Sequence, residues 1–458
     1  MEAKKQRVHF IAIGGSVMHN LALALHKKGY QVSGSDDEIF EPSRTRLEKA
    51  GILPPQMGWF PEKISTDLEA IILGMHARAE NPELIRAREL GIKIYSLPEY
   101  IYEQSKDKQR IVIAGSHGKT TITSIILHVL KFHGKKLDYL VGAQLEGFDL
   151  MVKLSHEAPL IVIEGDEYLT SPLDLTPKFL HYHHHIGLIS GIAWDHINVY
   201  PTFDEYVKQF ELFADQTPKG GTLIFSEEDD LATVICRKER EDVNRIEYSI
   251  HEHEIINGQT FLIHGGQKFP VQIFGKHNML NISAAKSVLL KTGITEEMFY
   301  QAIQSFKGAA NRLELLERTD KVTIYKDFAH APSKLKATTH AVKKQFPTRD
   351  LVAVLELHTF SSLNKEFLNQ YKETFKSADE PVVFFDPHTV EHKKLPAISK
   401  EEIKNAFAHP KLEVFTDKEQ LKNYLLNKEW KNKNLLLMSS GNFGGINIKD
   451  LAKTIAAQ

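Results

Sequence analysis

The seven residues Gly115-Ser116-His117-Gly118-Lys119-Thr120-Thr121 constrain this chain more than any other stretch. They stand between an apolar run, Ile111–Ala114, and a segment in which Ile122, Ile125, Ile126, Val129 and Leu130 recur at helical spacing. Strand, glycine-containing loop and helix in that order begin a βαβ unit. Backbone N–H groups in such a loop converge at a helix N-terminus, where partial positive charge favours an anion. Lys119 would then reach the outer phosphates of a nucleotide, and the Thr120 hydroxyl would ligate Mg2+. Position 113 is Ile where a full G-x-x-x-x-G-K-[ST] loop has Gly, so the motif is a variant.

The same alternation of β-branched runs and helical patterns fills the chain, which argues for an α/β fold built on parallel sheets. Val8–Ile13, Gln31–Ser33, Ala70–Leu73 and Lys93–Tyr95 read as strands of a first domain, residues 1–106. A polar stretch, Glu103–Arg110, separates it from a second domain, residues 107–311. There Arg245–Gly275 carries the hairpin signals Asn257-Gly258 and Gly265-Gly266 and reads as an antiparallel edge inserted in that domain. Val322–Tyr325, Leu351–Leu355, Val382–Phe385 and Leu435–Met438 mark a third βαβ series, residues 312–458. Three domains agree with 458 residues at about 150 per domain. With 57 basic and 59 acidic residues the net charge is −2, which excludes a global basic field for nucleic acid. One cysteine, Cys236, excludes an intramolecular disulfide and a cysteine metal cluster. No apolar run approaches a membrane span, and Met1–Arg7 lacks the apolar core of a signal peptide, so a cytoplasmic setting is expected.

Other polar groups fall where strands end. Glu164 is the first acid after the apolar run Leu160–Ile163, at the edge where ligands collect in open α/β sheets, and is a candidate Mg2+ ligand. Glu167 reads as a solvated loop acid. Asp195-His196 follows the run Ile186–Ile189. His181, His183, His184 and His185 lead into that run, where alternate rings would face opposite sides, so they read as packed or hydrogen-bonded rather than as a metal tract. Gly14-Gly15, with Asp36 about 20 residues on, fits either a nucleotide-binding turn or a plain tight turn. Asn278 and Asn281 share a helical face, and capping alone would explain Asn278.

Taken in order, the phosphate loop, Glu164, Asp195-His196, Gly275-Lys276-His277-Asn278 with Asn281, Arg312-Leu313-Glu314 and Asp327-Phe328-Ala329-His330 resemble the motif series of the Mur ligase family over essentially the whole chain. The family comprises ATP-dependent enzymes that join amino acids or peptides to UDP-N-acetylmuramate in bacterial cell-wall synthesis. The resemblance implies a Rossmann-like N-terminal domain for the UDP-sugar, a P-loop ATPase-like central domain with a small antiparallel insert, and a Rossmann-like C-terminal domain that closes over the site. It implies ATP and Mg2+ as cofactors. Catalytic roles fall to Lys119, Glu164, His196 and Arg312. Residues 115–121 hold the phosphates; Thr120 and Glu164 hold one Mg2+ and His196 a second. Asn278 meets adenine, Asp327 the ribose, and His277, Arg312 and His330 lie at the nucleotide. Gly14, Gly15, Ser35 and Asp36 lie at the UDP-sugar. The implied chemistry is attack of the lactyl carboxylate on the γ-phosphate, giving an acyl phosphate; the incoming amine then attacks the acyl carbon and phosphate leaves.

Val32–Asp36, Leu47–Ile52, Lys178–Tyr182 and Met438–Ile446 resemble the branch that adds the peptide L-alanyl-γ-D-glutamyl-meso-diaminopimelate, which makes that peptide the expected acceptor. The alternative is L-alanine, because Leu357-His358-Thr359-Phe360-Ser361 matches the alanine-adding pattern at His358 and lacks the peptide branch's Arg. Gly191 stands where the family has Asn, and Lys326 and Ala331 replace an Asp and a His. The position of a lysine that some members carbamylate falls on Gln209, beside Lys208, and no modification is expected. Lys119→Ala is expected to abolish ligation and leave the fold intact, as a loop lysine contributes little to a core. A dinucleotide oxidoreductase built on Gly14-Gly15 would leave Gly118-Lys119-Thr120 and Glu164 without a role. A nonenzymatic nucleotide-binding module would show no ATP turnover with any substrate.

Overall fold

A computed structural model describes residues 6–75, 77–145, 147–194, 199–238, 240–309 and 312–458. The chain forms two compact units, one of residues 1–249 with 280–303, the other of residues 250–279 with 304–458.

The first unit holds one parallel sheet and a second that is parallel but for one edge strand. Strands β1 (Arg7–Ile11), β2 (Gln31–Ser35), β3 (Ala70–Leu73) and β4 (Ile94–Ser96) lie in the order β2-β1-β3-β4, all parallel. The second sheet contains β5 (Gln109–Ala114), β6 (Asp138–Leu140), β7 (Val152–Lys153) and β8 (Leu160–Glu164). A hairpin of β9 (Leu169–Ser171) and β10 (Asp174–Pro177) stands apart from it. With β11 (Ile186–Ile189), β12 (Thr222–Ser226) and β13 (Asn244–Tyr248) the seven-stranded order is β13-β12-β11-β5-β8-β6-β7, and only β7 runs antiparallel. Ile111–Ala114 of β5 and Leu160–Ile163 of β8 are continuous buried apolar runs, as expected of central strands in a parallel sheet covered on both faces. The helix Lys119–Phe132 buries Ile122, Ile125, Ile126, Val129 and Leu130 completely, each contributing about 1.5–3 kcal/mol. That anchors the loop at its N-terminus to the sheet.

The second unit contains β14 (His253–Ile256), β15 (Gln259–His264) and β16 (Gln267–Val271), an antiparallel sheet of its own. Its main sheet has β17 (Glu314–Arg318), β18 (Val322–Asp327), β19 (Asp350–Glu356), β20 (Glu380–Phe384), β21 (Glu413–Phe415) and β22 (Lys433–Met438) in the order β17-β18-β22-β19-β20-β21. All are parallel except β17. Strand β22 lies between β18 and β19, so the carboxyl ends of these three strands meet at one edge. Among the described residues no helix is long and apolar enough to cross a membrane.

Three local expectations need correction. Arg245–Gly275 is not one antiparallel edge: Asn244–Tyr248 pairs parallel with β12, and the hairpins begin only after it, where Asn257 and Gly258 supply the two positive φ values of a tight turn. The histidines precede the strand rather than occupying it. Lys178–Tyr182 is a 3₁₀ turn closed by His183 at φ +45°, and β11 starts at Ile186. The first strand ends at Ile11, since Ala12 takes φ +66° and turns the chain before the glycine pair.

Candidate active site

The glycine loop of residues 115–121 has the backbone its sequence demands. Gly118 takes φ +81°, and a Cβ there would collide with the Asn281 side-chain oxygen. The Asn281 amide thus abuts the loop, a contact that helical spacing from Asn278 does not reveal. Ser116 N donates to Gly191 O at 3.0 Å, and the Ser190 hydroxyl donates to His117 O, which fastens the loop to the end of β11. Exposed His117 lies at the loop's tip, whereas Thr121 is buried in the first helical turn.

Lys119 folds back. Its Nζ donates to Gly115 O at 2.6 Å and to Glu167 Oε2 at 2.7 Å. Burial works against the charged amine, but the Glu167 carboxylate outweighs it and holds the lysine above its ordinary pKa. Glu167 is only 1% exposed, so the expectation of a solvated acid fails. Tyr206 Oη donates to its Oε1 at 3.2 Å and Tyr200 Oη to its main-chain oxygen. Nothing in the local sequence separates Glu167 from a surface acid; its burial comes from the distant helix Phe203–Asp215, whose Tyr206 closes over it.

Glu164 is the last residue of β8. Its Oε1 accepts from Thr120 Oγ1 at 2.7 Å and its Oε2 from Gly142 N at 2.9 Å. A half-buried carboxylate touching a hydroxyl is a hard oxygen pair of the kind Mg2+ prefers, so the residues present fit that ion. His196 lies outside the described residues. Gly191, at φ +146°, faces Asp229: a Cβ at 191 would lie 3.0 Å from Asp229 Oδ2, which accepts from Ile192 N at 3.0 Å. A carboxylate from the turn after β12 therefore holds the backbone where the family's Asn is missing. Lys208 is exposed and pairs with Glu211, and Gln209 donates to Glu205 O.

The histidine run is structural. His184 stacks on Phe213, its Nε2 lies 2.9 Å from Thr217 Oγ1, and burial depresses its pKa to about 3. His185 Nδ1 accepts from Arg110 N, and His181 pairs with Asp174 at 2.9 Å.

In the N-terminal sheet, Asp36 closes the glycine turn, its Oδ2 accepting from Gly14 N at 2.7 Å. Burial raises its pKa to about 6 against that hydrogen bond. Ser35 is buried, with Lys63 Nζ 3.4 Å from its hydroxyl.

Within the second unit, Asp327 ends β18 and accepts from Leu313 N and Ala329 N, each at 2.7 Å. Burial raises its pKa, and those N–H groups oppose the shift. The Arg312 guanidinium stacks 4.8 Å over the Phe328 ring, and His330 Nδ1 lies 2.8 Å from Phe328 O. Asn278 is buried and donates to Phe274 O at 2.8 Å; neighbouring His277 has its pKa lowered to about 4 by burial. At the same edge as Asp327, buried Glu356 ends β19 and accepts from Phe443 N at 2.8 Å and from the Ser439 hydroxyl. His358 stands 4.0 Å from its other oxygen. Glu356 was not singled out by its sequence, where it reads as the polar end of an apolar run.

Three family models match the chain in order: the Mur ligase family, catalytic domain, over residues 7–109; the Mur ligase middle domain over 113–289; and the Mur ligase, glutamate ligase domain over 311–441. A UDP-N-acetylmuramate–L-alanine ligase from Caldicellulosiruptor bescii is 32% identical over 413 residues, 86% of each chain. The chain belongs to the Mur ligase family. It is an ATP-dependent ligase that forms carbon–nitrogen bonds in peptidoglycan precursors. The fold agrees with that of two solved members. A UDP-N-acetylmuramate–alanine ligase from Thermotoga maritima has a TM-score of 0.69 at 19% identity over 98% of both chains. A murein peptide ligase from Psychrobacter arcticus has 0.62 at 22% identity over 99% of both.

Proposed function

We propose that this Mur ligase uses Mg-ATP to activate the lactyl carboxylate of UDP-N-acetylmuramate and couples it to the amino group of L-alanine, in the cytoplasm. The observation that carries the ATP half is the pairing of Lys119 with Glu167 and of Thr120 with Glu164 around one glycine loop. Two anions must meet, carboxylate and triphosphate, and Lys119 and Arg312 supply positive charge for the transferred phosphoryl group. Thr120 and Glu164 would hold one Mg2+ and His196 a second, and these ions supply further charge neutralisation when bound. Asn278 would contact adenine and Asp327 the ribose hydroxyls, with His277 and His330 beside them; Gly14, Gly15, Ser35 and Asp36 would face the UDP-sugar. Three regions divide this work, residues 1–106, 107–311 and 312–458.

L-alanine is the acceptor that the names of the sequence relatives support. A second reading, the tripeptide L-alanyl-γ-D-glutamyl-meso-diaminopimelate, is favoured by the stretch Met438–Ile446, where Phe443 N seats on Glu356 beside His358. Phosphate release from Mg-ATP and UDP-N-acetylmuramate, with each acceptor in turn, separates the two. Release with L-alanine and none with tripeptide supports the first reading; the reverse result replaces it with the second.

A further inference from the structure

We propose that Tyr206, acting with Ser116 and Glu167, is a positioning residue that aims Lys119. The inference rests on Lys119 serving the transferred phosphoryl group. Four consecutive hydrogen bonds join the loop after β11 to that lysine. Ala193 N lies 2.8 Å from Ser116 Oγ, Ser116 Oγ lies 2.8 Å from Tyr206 Oη, Tyr206 Oη lies 3.2 Å from Glu167 Oε1, and Glu167 Oε2 lies 2.7 Å from Lys119 Nζ.

Their direction is forced. A carboxylate paired with an ammonium only accepts, so Tyr206 donates to Glu167. Its single proton is then spent, so Ser116 donates to Tyr206. The Ser116 oxygen is left to accept, and Ala193 N–H is the donor beside it. Ser116, Tyr206 and Glu167 are all buried, so no link is exchanged freely with water. A chain with one allowed orientation and buried members holds its end group in one place. That end group is the ammonium of the phosphate loop, and the other end is the loop that leads to Asp195-His196. The chain thus ties the setting of Lys119 to the position of the backbone 190–194.

The Tyr206 ring packs edge-on against Tyr200 at 5.4 Å and Phe210 at 5.3 Å, contacts that Phe keeps. Tyr206→Phe therefore removes the hydroxyl alone. Lys119 retains its charge and its Glu167 partner, so ATP still binds, while the aim needed in the transition state is lost. Steady-state ligation by the full chain should show kcat lowered about tenfold, the scale of one hydrogen bond to a charged group, with KM for ATP within about twofold. Ser116→Ala breaks the chain one link away, and the double variant should lose little more than either single one. A purely structural role would instead lower the melting temperature and leave kcat per folded molecule unchanged, and that result overturns the proposal. Additive losses overturn it too. Lys119→Ala is run alongside: an inactive Lys119→Ala with fully active Tyr206→Phe defeats the positioning chain alone, whereas an active Lys119→Ala defeats the site reading beneath it. Should Tyr206→Phe fail to fold, Ser116→Ala carries the same kcat-against-KM test.

Discussion

Replacing Lys119 with Ala should do two separable things. It removes the cation proposed to meet the phosphates, and it strands Glu167. The Glu167 side chain is 2% exposed and that of Lys119 17%, so the pair is enclosed on the carboxylate side and partly open on the lysine side. Breaking a fully buried ion pair costs about 3–5 kcal/mol, because the remaining charge is left uncompensated. Here water can enter where the lysine was, and the Tyr206 hydroxyl stays, so about 2–3 kcal/mol is the expected loss. For a unit of this size that corresponds to a fall of about 4–12 °C in melting temperature. A lysine read from its loop alone would have left the fold untouched; the buried partner changes that expectation. The assay is thermal unfolding by circular dichroism at pH 7.5 without nucleotide, on the wild type, Lys119→Ala and Lys119→Ala/Glu167→Gln. The neutral amide no longer needs a counter-ion, so the double variant should recover most of the lost stability and none of the activity. A single variant that melts with the wild type would refute the reasoning, since the carboxylate would then not depend on Lys119.

Three further outcomes are expected. Glu164→Gln keeps an acceptor for Thr120 but loses the charge, so the Mg2+ concentration for half-maximal rate should rise about tenfold or more; an unchanged Mg2+ dependence would remove Glu164 from the metal site. Gly118→Ala forces a Cβ into the left-handed region, costing about 1–2 kcal/mol, and onto Asn281, which adds to that cost; its melting temperature should fall further than that of Gly134→Ala, where nothing faces the Cβ and only the backbone strain applies, and equal falls would contradict the Asn281 contact. Asp36 is an acid with a raised folded pKa of about 6, so the folded state binds its proton more tightly than the unfolded chain. Its burial therefore destabilises at neutral pH, and that cost disappears as pH falls through 6 toward 4. Asp36→Asn should melt above the wild type at pH 8 and with it at pH 4; a pH-independent difference would contradict the assignment.

The sequence made the βαβ rhythm legible because buried parallel strands are continuous apolar runs. Ala70–Leu73 and Ile186–Ile189 were readable to the residue, and the phosphate loop to its glycines. What it concealed were groups defined by partners far along the chain. Glu167 and Tyr206 are 39 residues apart, and neither carries a local signal of burial. Glu164 was readable because one short strand aims it at the carboxyl edge. The hairpins after Tyr248 were visible as Asn-Gly and Gly-Gly, but the parallel pairing of Asn244–Tyr248 was not, since an exposed edge strand lacks an apolar run. Gly191 looked like a loss; Asp229, 38 residues on, holds the backbone there.

The most direct test of the account follows an oxygen atom. UDP-N-acetylmuramate labelled with 18O in both lactyl carboxylate oxygens is turned over with Mg-ATP and the accepted amine, and the released phosphate is weighed by mass spectrometry. If the carboxylate attacks the γ-phosphate and the amine then displaces phosphate from the acyl carbon, each phosphate carries one 18O and the amide product keeps the other. Phosphate free of label, with ligation proceeding, would contradict carboxylate activation at this site.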